Sequence, residues 1–138
     1  MTGHLLVLPS DDPVAGAEIS LKVPGPGPFR LLCGVLTLIA SAAVANRLVR
    51  IRLAHQGVQV FQLDAGAVQV ATETRTYNLI PGVSQVGGSA TASPVIALPP
   101  DVYLTDLSTF TTNTLALDVG DNFSSLVLFV EDCGAQPS

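Results

Sequence analysis

The chain has 138 residues, of which 48% are hydrophobic and only 12% charged, and its formal net charge is -5. That length holds one core, and the apolar share excludes intrinsic disorder. With 6 Lys and Arg against 11 Asp and Glu, the balance argues against nucleic acid as a partner. Since the charged share is about half the usual one, another chain is expected to cover part of the surface.

Residues 4–8 (His-Leu-Leu-Val-Leu) read as a short strand, closed by Pro9 and the turn formers that follow. No secretory signal is expected, because residues 1–12 lack Lys and Arg and end on Asp11 and Asp12. Residues 18–23 alternate, with Ile19, Leu21 and Val23 on one face. The Pro-Gly-Pro-Gly-Pro run at 24–28 cannot donate to a ladder and reads as a stiff connector. Residues 29–44 are expected as one long apolar strand, bent near Ser41. The apolar run 31–45 is too short to span a bilayer, so no membrane partner is expected.

Residues 47–54 resume the alternation, with Val49, Ile51 and Leu53 opposite Arg50 and Arg52. Gln56-Gly57 is a hairpin signal leading into a strand over 58–63. A long strand is expected over 67–80. The uncharged run 82–94, with Val86, Gly87 and Gly88 at its centre, is the one long loop. Short strands at 94–98 and 102–104, a Thr-rich strand at 107–117, a turn at 118–122 and a last strand at 123–131 complete the chain. Eight or nine strands at this spacing indicate an all-β antiparallel sandwich or jelly roll. Residues 1–23 read as N-terminal strands packed on the same core, 24–133 as the sandwich, and 134–138 as a frayed tail.

Chemistry is sparse. His4 and His55 are the only imidazoles, and no G-x-S-x-G elbow accompanies them. Cys33 and Cys133, a hundred positions apart, are expected as buried thiols, and no CxxC pair suggests a metal or redox site. Asp118, Asp121 and Asn122 have oxygens a calcium loop would use, but their spacing suits a tight turn. A glycan cleft has only Tyr77 and Tyr103 to draw on besides Phe. No catalytic, cofactor-binding or metal-binding residues are therefore expected, and the protein is read as a non-enzyme. Arg50 and Arg52, with Arg47 just outside the stripe, are candidates for docking an acidic partner, together with the loop at Val86, Gly87 and Gly88. Segments 36–39 and 123–130 are apolar on both faces, which calls for cover by a loop or a second subunit.

One stretch is more specific. Val23-Pro24, then Phe29-Arg30-Leu31-Leu32, the corner Ser41-Ala-Ala-Val-Ala-Asn-Arg47 and the Gly120-Asp121 turn before a terminal strand resemble small virion proteins of tailed bacteriophages. The resemblance covers roughly residues 20–131, with Phe29 where a Trp often sits. It implies a jelly-roll capsid decoration (cement) protein that binds the major capsid protein on the virion surface as a homotrimer, after synthesis in the host cytoplasm. It implies no active-site residues. The alternatives are a tail or baseplate component and a carbohydrate-binding module.

Overall fold

Eleven strands and no helix make up the described residues (4–25, 27–83 and 94–134) of the computed structural model. In chain order they are β1 (His4–Pro9), β2 (Ser20–Lys22), β3 (Phe29–Ile39), β4 (Arg50–His55), β5 (Val58–Asp64) and β6 (Thr74–Pro81). There follow β7 (Val95–Leu98), β8 (Tyr103–Leu104), β9 (Ser108–Thr112), β10 (Asn122–Phe123) and β11 (Val127–Asp132). One sheet runs β1-β11-β3-β6-β7, with β8 and β10 pairing the two ends of β3; the other runs β2-β9-β4-β5. The antiparallel pairs β1–β11, β2–β9, β3–β6 and β4–β5 nest inside one another along the sequence. A hairpin folded over on itself gives that order, and it is the jelly-roll arrangement. The expectation of an all-β antiparallel sandwich holds but for one pair, since β7 joins the edge of the larger sheet parallel to β6.

The core lies between the sheets. Leu31, Leu36, Leu38, Tyr77, Leu79, Leu128 and Val130 come from the larger sheet, and Leu21, Ile51, Leu53 and Phe110 from the smaller. Phe61 meets Phe110 edge to face, with ring centroids 6.4 Å apart. Alternation fails within β3 at one point. Opposite β11, Phe129 pairs Cys33 while Val130 pairs Leu31, so Leu32 is an extra residue and the inward set moves from Phe29 and Leu31 to Gly34, Leu36 and Leu38. Gly34 has to be small, because a Cβ there would stand 2.8 Å from Leu128 Cδ2.

Several expected boundaries move. The strand expected over 29–44 stops at Ile39, and that over 67–80 begins only at Thr74, because residues 40–49 and 65–73 form a hydrogen-bonded corner instead. The Thr-rich strand contracts to β9. The last strand splits: after β10 the chain turns at Ser124 and Ser125, with Ser124 N bonding Thr37 O, and resumes as β11. The interruption changes parity, so Phe123, Leu126, Leu128 and Val130 are all buried, and Phe123 does not share a face with Val127 and Phe129. These breaks and the very short β8 and β10 raise the strand count from the expected eight or nine to eleven. Of the loop expected over 82–94, residues 84–93, with Val86, Gly87 and Gly88, lie outside the described residues, as does the tail from 135 onward.

Candidate interaction surfaces and a buried corner

Arg47 is the first candidate the structure reassigns. Its side chain is 0% exposed, as is that of Asp121, and its Nε donates to Asp121 Oδ2 at 2.7 Å. It is therefore a corner brace and not a docking residue, as the sequence had suggested. Its Nη1 and Nη2 donate to the carbonyls of Ala45 (2.9 Å) and Ala43 (2.8 Å), curling the 41–47 loop around the guanidinium. Asp121 also accepts from Ser41 N and Asp118 N, each at 2.8 Å, and Ser41 Oγ donates to Asp118 Oδ2 at 2.9 Å. Burial works to raise the Asp121 pKa. The Arg47 guanidinium and the two backbone N–H groups outweigh it, and hold the carboxyl at about 2 against an ordinary 3.8.

The network continues inward. Arg47 and Gln69 exchange backbone hydrogen bonds at 2.9 and 2.7 Å, and Gln69 Nε2 donates to the carbonyls of Leu38 (2.8 Å) and Glu73 (2.7 Å). Tyr77 Oη donates to Gln69 Oε1 at 2.8 Å. Burial pushes the Tyr77 phenol up to about 12, although the neighbouring Arg75 guanidinium works against it. Sequence reading missed Gln69, since a polar residue in an alternating run signals exposure as readily as a buried bond, and it offered Tyr77 to a glycan cleft, whereas the ring is buried in the core. The Ser41–Arg47 corner and the Gly120-Asp121 turn, far apart in sequence, meet through a buried Arg47–Asp121 pair, while Ala42, Ala43, Val44 and Gly120 around it are exposed.

The two sheets present unlike outer faces. On the smaller one, Ser20, Lys22, Arg50, Arg52, Thr109, Thr111 and Gln62 stand outward, with Arg52 between Thr111 and Gln62. Arg50 and Arg52 are both half-buried. Arg50 Nε is tied to Asn113 O at 2.8 Å, whereas Arg52 Nε is buried without a hydrogen-bond partner among the described residues. The expected basic stripe is thus present on an outer face, but its groups lie down along the sheet.

The larger sheet is apolar outside where β1, β11 and the middle of β3 lie, and polar at Thr37, Thr76 and Asn78. Val7, Phe129 and Cys33 are register neighbours in one row, and Pro9, Val127 and Val35 in the next. Val7 and Phe129 remain 53% and 43% exposed. Cys33 sits half-buried on this face and Cys133 beyond the end of β11; both thiols are free. At the open edge between the sheets, Leu53, Val60, Phe61, Pro99, Val102 and Tyr103 line a groove of about 390 Å³. Asp101 on its rim has φ of 58° and lies 3.9 Å from Arg30. Among the described residues, no three His, Cys, Asp or Glu side chains gather closely enough to hold a metal.

No family model and no curated protein matches the chain. Among solved structures, it is similar to part of dimeric latent PorU from Porphyromonas gingivalis, with 8% identity and a TM-score of 0.48, covering 96% of this chain and 13% of that one. It is also similar to part of a chain of the T13 IBDV viral particle, with 8% identity and a TM-score of 0.47, covering 97% of this chain and 32% of that one. The chain thus spans under a third of either protein, and neither likeness bears on function.

Proposed function

We propose that this protein is a structural virion protein of a tailed bacteriophage, a decoration protein that docks on the major capsid protein and stabilises the shell. The observation that carries the reading is the outer face of the larger sheet. Among the described residues no layer covers Val7, Val127, Phe129 and Val35, which stand in adjoining rows, and an apolar sheet face calls for a protein partner. The resemblance over residues 20–131 supports the same reading, and the corner and turn that carry it brace each other through Arg47 and Asp121. No chemistry is assigned to the protein; its contribution is buried contact area between shell subunits. Self-association belongs to this reading as well.

The test is co-sedimentation with undecorated capsids. Wild type is expected in the pellet, and Val127→Glu/Phe129→Glu in the supernatant with an unchanged circular dichroism spectrum. Wild-type protein left in the supernatant at low salt and high excess overturns the reading, and labelling of intact virions then separates a tail component from a head component. One observation favours a glycan-binding second reading: Tyr103, 54% exposed, stands in the groove beside Asp101. Binding on a glycan array that Tyr103→Ala abolishes would support it.

A further inference from the structure

We infer that β1 is a self-pairing edge, and that a second copy of this chain adds its own β1 antiparallel across a two-fold axis. Among the described residues β1 ends the larger sheet, with β11 on one side only. Ser10 N donates to Leu126 O at 2.8 Å, which fixes the ladder's parity: Leu8 and Leu6 bond inward to β11, and the N–H and C=O groups of Leu5 and Val7 point away from the sheet. Pro9, which has no N–H, falls on the outward parity, where a proline costs no ladder bond. Edge strands are ordinarily guarded by charge, a bulge or a covering loop. β1 carries no charged residue, and Leu5, Leu6 and Val7 are 76%, 39% and 53% exposed.

The free edge is complementary to itself. Setting Leu6 opposite Leu6 of the partner subunit places Leu5 of each copy against Val7 of the other, so that both exchange N–H and C=O groups and Pro9 falls outside the pairing. The same register brings Leu5 and Val7 together on the outer face, and the two leucines at the axis on the inner side. It also extends the Val7–Phe129–Cys33 row by one residue, Leu5 of the partner subunit, beyond which the row reaches the partner's Glu131 and the partner's Arg30. A charged peptide would find no opposite charge on β1, whereas a second neutral β1 meets no repulsion there. An isologous contact of this kind closes at two subunits. It stands on the edge geometry alone, independent of the virion reading, and it replaces the expected trimer with a dimer.

Sedimentation velocity between about 1 and 100 µM tests the pairing. Wild type is expected to pass from monomer to dimer, more readily as salt screens the net charge of -5 on each copy. Leu5→Pro removes the outward N–H without touching β11, and Val7→Lys places like charges across the axis; both are expected to stay monomeric with wild-type thermal unfolding. In a Cys33→Ser/Cys133→Ser background, Leu6→Cys is expected to oxidise to a covalent dimer, because facing non-hydrogen-bonded positions lie about 4.5 Å apart, within disulfide reach. Val60→Cys, on the edge strand of the other sheet, is expected to remain uncrosslinked. A wild-type monomer throughout, a trimer, or a dimer that survives both Leu5→Pro and Val7→Lys overturns the inference. Capsid co-sedimentation of the same samples is a separate readout, so a monomer that still binds capsids overturns the pairing alone.

Discussion

A guanidinium and a carboxylate, both without solvent contact, make the 41–47 corner the most demanding part of the molecule. Removing one partner leaves the other buried and uncompensated, a loss of about 3–5 kcal/mol. Asp121→Asn is expected to lower the urea midpoint accordingly at pH 6. The folded pKa is depressed, so the carboxylate's contribution is whole above the unfolded value of 3.8 and is lost as pH falls through about 2. The gap between wild type and Asp121→Asn should therefore narrow between pH 4 and 2, and a gap constant across that range contradicts the assignment. Tyr77 has the opposite sign. Its folded pKa is raised, so its contribution is whole below 10 and is lost as pH rises toward 12. Tyr77→Phe leaves Gln69 Oε1 without its donor, at a cost of about 1–3 kcal/mol at pH 7. Denaturant titrations should show that deficit shrinking above pH 10.

Among the elements, β3 carries the most, since β11, β6, β8 and β10 all pair with it. Its extra residue at Leu32 lets Phe29 and Leu31 fill the core at one end and Leu36 and Leu38 at the other. Gly34 sits just beyond the shift, under Leu128. Gly34→Ala is expected to cost about 1–3 kcal/mol through overpacking, because Leu128 is fully buried and has little room to turn away. Truncating the neighbour should relieve part of this, so Gly34→Ala/Leu128→Ala is expected to be less destabilised than the sum of the single changes. Thermal unfolding of the four-protein cycle measures the coupling. Additivity would show that the close approach carries no strain.

Across the whole molecule, a polar sheet face stands opposite one that is apolar along β1 and β11, and the two should respond differently to salt. Half-buried Arg50 and Arg52 lie along the smaller sheet among Thr111, Gln62 and Asn113, so their charge acts mainly at a distance. Partly exposed charges of this kind contribute about 0–1 kcal/mol each, and tune capture rate more than final affinity. Arg50→Glu/Arg52→Glu is expected to slow association with capsids at low salt and leave retention nearly unchanged. Rapid-mixing light scattering at two ionic strengths reads the rate. Complete loss of retention would place the docking surface on the smaller sheet instead.

Much of this fold is legible in the chain because a strand with one buried face writes its period into the sequence. Ile19, Leu21 and Val23, then Val49, Ile51 and Leu53, alternate and are buried as the pattern implies. Gln56-Gly57 announces its hairpin through backbone conformations that glycine adopts at little cost; Gln56 and Gly57 have φ of 51° and 78°. Period and turn chemistry are local, and local signals settle the fold class. What pairs with what over a long separation is not local. The sequence alone made Arg47 an exposed docking residue, because nothing within a few positions of it offers a counter-charge. Only the jelly-roll winding brings Asp121 within 2.7 Å and makes burial of the pair tolerable. The same winding places Gln69 and Tyr77 inside, breaks the terminal strand so that Phe123 turns inward, and leaves β1 at an edge. Those outcomes depend on which chain segments meet in space, and tertiary structure alone decides that.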